Sequence, residues 1–345
     1  MNRLAKDRHL ITNVILTLTL LALFASTGLA AYLLGLEYLP GIWWGESDED
    51  PFGSALTESR WIVADSPVPL ASLPLPLTSV YVGEGDLLSA NAYLLRLRDG
   101  GVLLDYDAGA RVFPASLTKI MTALVVIESG IDMEETVTIS RDLLTRLEAA
   151  DASTAGFGAG DSVKVRDLLY GVILPSGAEC SEALAVAVAG SVGDFVQMMN
   201  TTAYRLELRN TNFANPTGLH DDSQFSSARD MAELLRYAVQ NETFRSVFLT
   251  KDYVSAPTGR HPQGLTMQNR VAKNLAVALM PEVFSCKTGY TRQAGICLAS
   301  YLIVGGEEYI FVTLGAPRDI DDVYLHDLDF IAKKISRPPN PLREG

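Results

Sequence analysis

The sequence predicts a mixed α/β (α+β) fold, in which helices flank one antiparallel sheet and part of the chain forms an all-helical subdomain. Segments with the alternation of β-strands occur near residues 90–106 and again at 283–315, and the chain between them has mostly the apolar spacing of helices. Because such strands bury their apolar faces against helices, we expect both ends of the domain to share one sheet. A long apolar run near the N-terminus adds a predicted transmembrane helix.

The composition limits the classes of function. With 345 residues, 48% of them hydrophobic and 20% charged, the chain has enough apolar residues for a substantial core. A formal net charge of −13 argues against nucleic-acid binding, which depends on Lys and Arg neutralising phosphates. The four histidines are scattered, and the three cysteines (Cys180, Cys286 and Cys297) lack the paired spacing of a zinc site. We therefore predict no metal and no other cofactor.

The first 36 residues have the charge pattern of a membrane anchor. Residues 1–9 contain three basic side chains, and residues 10–36 then run without a charge. At about 1.5 Å per residue, such a helix exceeds the ~30 Å hydrocarbon layer. Acidic residues follow at 46–50, so we expect residues 1–9 in the cytoplasm, a single span at 10–36 and the rest outside the cell. The alternative is a signal peptide cleaved after Gly28-Leu29-Ala30, which would leave Ala31 as the first residue.

Residues 37–87 are predicted to form a tether. This segment has acids at 46–50 and prolines at 51, 67, 69, 74 and 76, which leave no room for a long element. We expect the folded domain at 88–337 and a short tail at 338–345. The first predicted element is a hairpin, with strands at Ala90–Arg98 and Val102–Tyr106 joined by the turn Asp99-Gly100-Gly101.

The stretch Phe113–Leu124 sets a serine hydroxyl and a lysine amine three residues apart. Pro114 suits the position ahead of a first turn and apolar residues then recur at helical spacing, so we predict a helix from near Ser116 to about Glu128. Positions three apart share a helix face, so the Lys119 amine can reach the Ser116 oxygen. A lysine can take the serine proton when burial or a nearby cation keeps the amine neutral. Taken alone, the pair is better explained as an N-cap serine and a solvated lysine.

The middle of the domain is predicted to be almost wholly helical. Ser176 lies in a short bend, Pro175-Ser176-Gly177, between two of these helices. Asn215-Pro216-Thr217-Gly218-Leu219 has the composition of a turn. The predicted helices are Val165–Leu174, Ala178–Ala189, one from the Ser191 cap to about Leu208, and Ala228–Val239.

After residue 265 the pattern changes to an antiparallel meander followed by a last helix at about 321–335. Lys287-Thr288-Gly289 lies on the first strand of this meander. A cation on a strand edge suits a peptide that ends in a carboxylate, and Gly289 allows another backbone or a ligand to approach closely. The predicted strands are Val283–Tyr290, Gly295–Val304 and Tyr309–Gly315.

Three motifs thus occur in order: Ser116-x-x-Lys119, the serine bend at Ser176-Gly177, and Lys287-Thr288-Gly289. This constellation is typical of penicillin-binding proteins and serine β-lactamases. Over about residues 88–335 the sequence around these motifs resembles that of the low-molecular-mass D-alanyl-D-alanine carboxypeptidases. The stretches that carry the resemblance are Pro114–Leu124, Leu168–Gly171, Asn215–His220, and Lys287–Thr291 with Ala294-Gly295.

The resemblance implies a β-lactamase/transpeptidase-like fold and a serine-type D-Ala-D-Ala carboxypeptidase that acts on peptidoglycan stem peptides. In such an enzyme Ser116 would attack the carbonyl between the two D-alanines and form an acyl-enzyme, which water then hydrolyses. Lys119 would be the base, and Ser176 would relay the proton to the departing D-alanine. β-Lactams, which mimic D-Ala-D-Ala, are expected to acylate Ser116.

The resemblance also implies how the substrate is held. Lys287 and Thr288 would bind its terminal carboxylate, beside Gly289, and the Lys287 charge would help to keep Lys119 neutral. The backbone N–H groups of Ser116 and Tyr290 would form the oxyanion hole.

The second motif departs from the family pattern, which is usually Ser-x-Asn. Here it is Ser176-Gly177-Ala178-Glu179, and alanine cannot form the hydrogen bonds that the asparagine makes to the substrate backbone and the catalytic lysine. Losing one such contact costs on the order of 1–3 kcal/mol. Glu179 follows the asparagine position by one and is expected to point elsewhere. The chain also ends soon after the predicted domain, so we expect the N-terminal segment to replace the C-terminal anchor of many relatives.

The sequence leaves other functions open. A β-lactamase or a peptidoglycan endopeptidase of the same fold is possible, and rapid turnover of the penicillin adduct would favour the lactamase. A third alternative is a sensor or binding protein of the penicillin-binding fold that lost catalytic activity when it lost the asparagine. The retained Ser116, Lys119, Ser176 and Lys287 argue against it. Cys180 is expected to be buried in its helix. Cys286 and Cys297 flank the meander turn and could face each other. Because the strand register cannot be read from the sequence, a disulfide between them is a minor hypothesis.

Overall fold

The computed structural model describes residues 79–269, 271, 283–319 and 323–336. The predicted span at 10–36, most of the predicted tether and the predicted tail lie outside these residues. Within the described ranges, no single helix has the length and hydropathy to cross a bilayer. Two helices, Ala178–Ala189 and Val192–Arg205, reach that length and hydropathy only as a pair, and they meet at 87°.

The secondary structure follows the predicted order of elements. The strands are β1 (Asn91–Arg96), β2 (Val102–Tyr106), β3 (Thr136–Thr138), β4 (Ser162–Lys164), β5 (Asp252–Val254), β6 (Thr266–Gln268), β7 (Val283–Thr291), β8 (Gly295–Val304) and β9 (Glu307–Ala316). The α-helices are α1 (Thr118–Glu128), α2 (Arg141–Ala149), α3 (Val165–Ile173), α4 (Ala178–Ala189), α5 (Val192–Arg205), α6 (Ala228–Ala238), α7 (Glu242–Leu249) and α8 (Val323–Ser336). A 3-10 turn at Ala115–Leu117 leads into α1.

The main sheet has five antiparallel strands in the order β2-β1-β9-β8-β7. The N-terminal hairpin therefore pairs with the C-terminal meander, with β1 beside β9, and the predicted single sheet is confirmed. Tyr93 pairs with Val312 and Leu95 with Ile310 in that register. As a consequence β7 is an outer strand, and it packs beside the 3-10 turn that carries Ser116.

Both faces of the central strands are covered. Along β9, Ile310 and Val312 belong to the core under the middle helices, whereas Phe311 belongs to a second core that includes Leu328 and Ile331 of α8. This is the alternation expected when side chains of a strand point to opposite faces. The fold is thus a mixed α/β arrangement with helices on both sides of the sheet.

Helix α1 lies in the centre of the larger core. Every residue from Thr118 to Val126 is buried, and the helix packs against α3, α4, α5, α6 and α7. A helix that is apolar around its whole circumference belongs in a protein interior. The single lysine of α1, Lys119, is therefore carried into the interior with it.

Several elements had no counterpart in the sequence predictions: α2, α7 and the short hairpins β3–β4 and β5–β6. The strands of these hairpins have three residues each, too few to show a period. Tertiary contacts hold β5–β6 in place. The Tyr253 hydroxyl donates to Asp167 at 2.6 Å, and the Tyr253 ring stacks on Tyr170 with ring centroids 3.6 Å apart.

The disulfide hypothesis for Cys286 and Cys297 is wrong. Both are free thiols, as is Cys180, which is buried in α4 as expected. In the β7–β8 register Cys286 lies opposite Ser300, and Cys297 lies opposite Gly289. Cys286 and Gly289 are three residues apart on one strand, so the two thiols face different cores.

Candidate active site

Ser116 lies in the 3-10 turn directly ahead of α1, as the proline and the apolar spacing predicted. The Lys119 amine is 3.2 Å from Ser116 Oγ, and the Lys119 residue is only 2% exposed. The alternative of a solvated first-turn lysine is therefore wrong. Ala115, just before the serine, has a φ of +47°, a conformation that costs energy for a residue with a side chain. Backbone strain of this kind often accompanies a functional site.

The turn at residues 215–219 supplies a second contact to Lys119. The amine donates to the Thr217 carbonyl at 2.5 Å. Asn215 shapes the turn, because its Oδ1 accepts from the backbone N–H of Gly218 at 2.8 Å and from the Thr217 hydroxyl at 2.8 Å. Gly218 has a φ of +80°, and a Cβ there would lie 2.0 Å from the Ala115 carbonyl oxygen. Sequence reasoning treated this segment only as a turn and missed the Thr217 carbonyl, although the stretch was one of those that carried the resemblance.

Ser176 and Lys287 form the other half of the arrangement. Lys287 Nζ donates to Ser176 Oγ at 2.9 Å and to the Thr288 carbonyl at 2.9 Å. Ser176 lies in the sharp bend between α3 and α4, and its backbone has a φ of +65° there. The Lys287 residue is 2% exposed on the outer strand β7. The structure therefore brings Ser116, Lys119, Ser176 and Lys287 together from three distant parts of the chain.

Burial decides the protonation of the two amines. Burial lowers the pKa of Lys119 well below its usual range, and the charge of Lys287 lowers it further. Burial also lowers the pKa of Lys287, to about 8. Lys119, whose pKa is depressed both by burial and by the neighbouring charge, is therefore the candidate base of the two.

The backbone of β7 comes into direct contact with the serine turn. A Cβ on Gly289 would lie 2.7 Å from the Ser116 backbone nitrogen and 3.0 Å from the Ala115 side chain. The close approach expected at Gly289 is therefore present, and any larger residue would push the strand and the turn apart. Tyr290 follows and is 40% exposed, with the Arg318 guanidinium 4.7 Å from the centre of its ring.

Ser116 and Ser176, each within hydrogen-bond distance of a buried lysine amine, line a cleft of about 780 Å³. The β7 residues Thr288, Gly289 and Tyr290 line the same cleft. Other parts of its wall are formed by Asp151 and Ser153–Ala155 and by Thr266–Asn269 at the end of the β5–β6 hairpin.

Tyr324 of α8 also lines the cleft and was not predicted from the sequence. It is hydrogen-bonded to the Thr288 side chain, and burial raises its pKa to about 12. Within the described ranges, no three His, Cys, Asp or Glu side chains are grouped in a way that would hold a metal ion.

Ala178, which replaces the usual asparagine, is buried at the start of α4. Glu179 does not take its place beside the lysine. The Glu179 carboxylate turns to residues 155 and 156, where its Oε1 accepts the backbone N–H groups of Ala155 at 2.7 Å and Gly156 at 2.9 Å. Lys119 thus has hydrogen bonds to Ser116 and Thr217, but none to the second motif among the described residues.

A serine hydroxyl beside a buried amine, with a second serine–lysine pair next to a strand edge, defines a class of enzyme that forms an acyl intermediate on serine. The sequence profile of the family described as D-alanyl-D-alanine carboxypeptidase matches residues 79–318. The chain belongs to this family.

Individual relatives agree with that assignment. The D-alanyl-D-alanine carboxypeptidase DacF of Bacillus subtilis is 33% identical over 254 residues, which cover 72% of this chain and 63% of the relative. The D-alanyl-D-alanine carboxypeptidase of Streptomyces sp. strain K15 is 31% identical over 242 residues, which cover 68% of this chain and 83% of the relative.

The fold matches solved structures as well. The crystal structure of the Streptomyces K15 DD-transpeptidase has a TM-score of 0.65 and 32% identity, over 74% of this chain and 97% of that one. Penicillin binding protein 5 from Haemophilus influenzae has a TM-score of 0.63 and 29% identity, over 74% of this chain and 72% of that one. The mixed α/β architecture is therefore the DD-transpeptidase fold.

Proposed function

We propose that this protein is a serine-type D-Ala-D-Ala carboxypeptidase, which removes the terminal D-alanine from peptidoglycan stem peptides. The observation that carries the proposal is the pairing of Ser116 with a buried Lys119, 3.2 Å apart. The cleft that Ser116 lines is also lined by Ser176, whose Oγ accepts from Lys287 Nζ at 2.9 Å. Family membership supports the substrate class.

Acylation begins when Lys119 takes the proton from Ser116 Oγ, and the oxygen attacks the carbonyl between the two D-alanines. The negative charge that develops on the carbonyl oxygen is stabilised by the backbone N–H groups of Ser116 and Tyr290. The bond to the leaving D-alanine then breaks as Ser176 passes a proton to its amine. The proton that Lys119 took from Ser116 restores the Ser176 hydroxyl, so no proton is gained or lost by the enzyme. Water hydrolyses the acyl-enzyme and releases the shortened peptide.

Lys287 and Thr288 bind the terminal carboxylate of the substrate. The position of Lys287 on the edge strand β7, next to the cleft-lining Thr288, supports this role. An amine with a pKa of about 8 is mostly protonated at neutral pH and suits this role.

The direct test is acylation by a penicillin, observed as the mass of the intact protein. We expect one penicilloyl group per chain, located on a peptide that contains Ser116, and slow release of the adduct. The Ser116→Ala protein should gain no mass. A modified Ser116→Ala protein would remove Ser116 from its assigned role, and release within seconds would favour a β-lactamase.

We further propose that residues 10–36 anchor the protein in the cell membrane with the folded domain outside. The uncharged run and the acids that follow it support this orientation. Sequencing the N-terminus of the mature protein tests it. Retention of Met1 or Asn2 is expected, and a first residue of Ala31 would replace the anchor with a cleaved signal peptide.

A further inference from the structure

Glu179 is a fully buried carboxylate directly behind the bend that carries Ser176. It is the second residue of α4 and has no exposed surface. Its Oε1 accepts two backbone N–H groups, whereas its Oε2 is buried and has no hydrogen-bond partner among the described residues. A carboxylate oxygen without a donor is costly to bury, so packing alone does not account for a glutamate here.

The Glu179 carboxylate fixes one wall of the cleft. Residues 152–158 have no regular secondary structure, and Ser153 and Thr154 within them are exposed at the cleft. This segment is tied to α4 in two places: Glu179 holds Ala155 and Gly156, and the Ser153 carbonyl accepts the Ala178 N–H at 2.8 Å.

Gly177 shows how closely the wall, the bend and the carboxylate pack. A Cβ on Gly177 would lie 3.0 Å from the Ala155 nitrogen and 3.0 Å from Glu179 Oε2. Gly177 is the neighbour of Ser176, whose φ of +65° needs such support from its surroundings. Moving Glu179 would therefore move the hydroxyl that receives the Lys287 hydrogen bond.

Glu179 also acts on the charge of the amine pair. Burial and the Lys287 charge lower the pKa of Lys119, and Glu179 raises it, with a smaller effect in the same direction from Cys180 on the same helix. The other ionisable side chains that face the 151–156 segment are His261, which contacts the Gly156 carbonyl at 3.1 Å, and the exposed Asp151.

We propose that Glu179 is a positioning residue of the acylation step, which holds the 151–156 wall against the Ser176 bend and balances the single positive charge of the Lys119 and Lys287 pair. Two amines, one proton and one carboxylate carry no net charge together, so the cluster can be buried at far lower cost than two ammonium groups. This inference rests on the function proposed for Ser116 and Lys119 and deepens it.

Two variants separate the charge role of Glu179 from its positioning role. Glu179→Gln keeps an acceptor oxygen for Ala155 and Gly156 but removes the charge, so Lys119 should lose its proton at lower pH. The acid limb of the pH profile of kcat/KM then moves to lower pH, with little change in the plateau. Glu179→Ala removes both the charge and the acceptor, and should lower the plateau by roughly tenfold or more, since small displacements of catalytic groups have effects of that size.

Glu182→Gln is the matched control. Glu182 lies three residues further along the same helix, is 9% exposed and pairs with Arg146 at 2.9 Å rather than with the cleft wall. We expect its profile to coincide with that of the wild type. Coincident profiles for Glu179→Gln and wild type would overturn the charge role, and an unchanged plateau in a folded Glu179→Ala protein would overturn the positioning role.

A second readout does not depend on the enzymatic activity. In protein with 13C-labelled lysine side chains, the Lys119 signal can be assigned by its loss in Lys119→Arg, and its titration followed by NMR. The midpoint should move to lower pH in Glu179→Gln and stay in place in Glu182→Gln. An unmoved midpoint, or no titration in either protein, would contradict the inference even if the wild type proves inactive on D-Ala-D-Ala peptides.

Discussion

At the scale of single residues, the chemistry proposed here depends on the burial of Lys119 and Lys287. A lysine on the surface keeps its proton at neutral pH and cannot act as a base. In this protein both lysine residues are 2% exposed, and each amine has its hydrogen-bond partners within the fold. The sequence predicted the reach from Lys119 to Ser116, but not the contact between Lys287 and Ser176, which only the fold shows.

The basic limb of the pH profile tests the role of Lys287. Its pKa of about 8 means that the amine loses its proton, and with it the charge that binds the substrate carboxylate, as the pH rises through that value. We expect kcat/KM to fall above about pH 8 in the wild type. The Lys287→Arg protein keeps a positive charge at every accessible pH. We expect its kcat/KM to be lower than that of the wild type but not to fall above about pH 8. A limb at the same pH in both proteins would assign it to another group.

Ala178 is the position where a substitution is expected to raise kcat/KM. Ala178→Asn restores an amide able to contact Lys119 and the substrate backbone, and one hydrogen bond of about 1–3 kcal/mol corresponds to roughly 5- to 150-fold in rate. We predict a kcat/KM higher by a factor in that range. Ala178→Val, which adds volume without an amide, controls for repacking. Equal rates in Ala178→Asn and wild type, with unchanged thermal stability, would show that the missing contact does not limit this enzyme.

At the scale of elements, the site depends on how the edge strand β7 meets the serine turn. Gly289→Ala would place a methyl group 2.7 Å from the Ser116 nitrogen, so the strand and the turn must separate. We expect penicillin acylation to slow by about 100-fold, because displacements near 1 Å have such effects. Stopped-flow measurement with a fluorescent penicillin checks this.

Gly193→Ala is the control for that variant. A Cβ on Gly193 would meet only the Ser191 hydroxyl, at 3.8 Å, and alanine is the better residue in the first turn of α5. Its acylation rate should equal that of the wild type. If penicillin acylates the Gly289→Ala protein as fast as the wild type, the β7 contact does not align Ser116.

The elements also show what the sequence could and could not predict. The strands at both ends, the helix after Ser116 and the bend at Ser176 were predicted because their periods and turn residues are local signals. The β5–β6 hairpin was not, because its place depends on Tyr253 meeting Asp167 and Tyr170, residues more than 80 positions earlier in the chain. The same holds for the Thr217 carbonyl, a backbone group whose role no side-chain pattern can indicate.

At the scale of the whole molecule, the sheet joins the first and last parts of the described domain and so brings the three motifs to one cleft. Ser116 precedes the central helix, Ser176 lies between two helices of the larger core, and Lys287 lies on the outer strand. The anchor predicted at 10–36 lies outside the described residues. The anchor itself stays a prediction.

The measurement that tests this account most directly is the release of D-alanine from diacetyl-L-lysyl-D-alanyl-D-alanine by the purified protein, beside Ser116→Ala and Lys119→Ala. We predict steady release by the wild type and none above background by either variant. Equal release from the wild type and Ser116→Ala, or no release from a wild-type protein that is folded, would contradict the proposed carboxypeptidase.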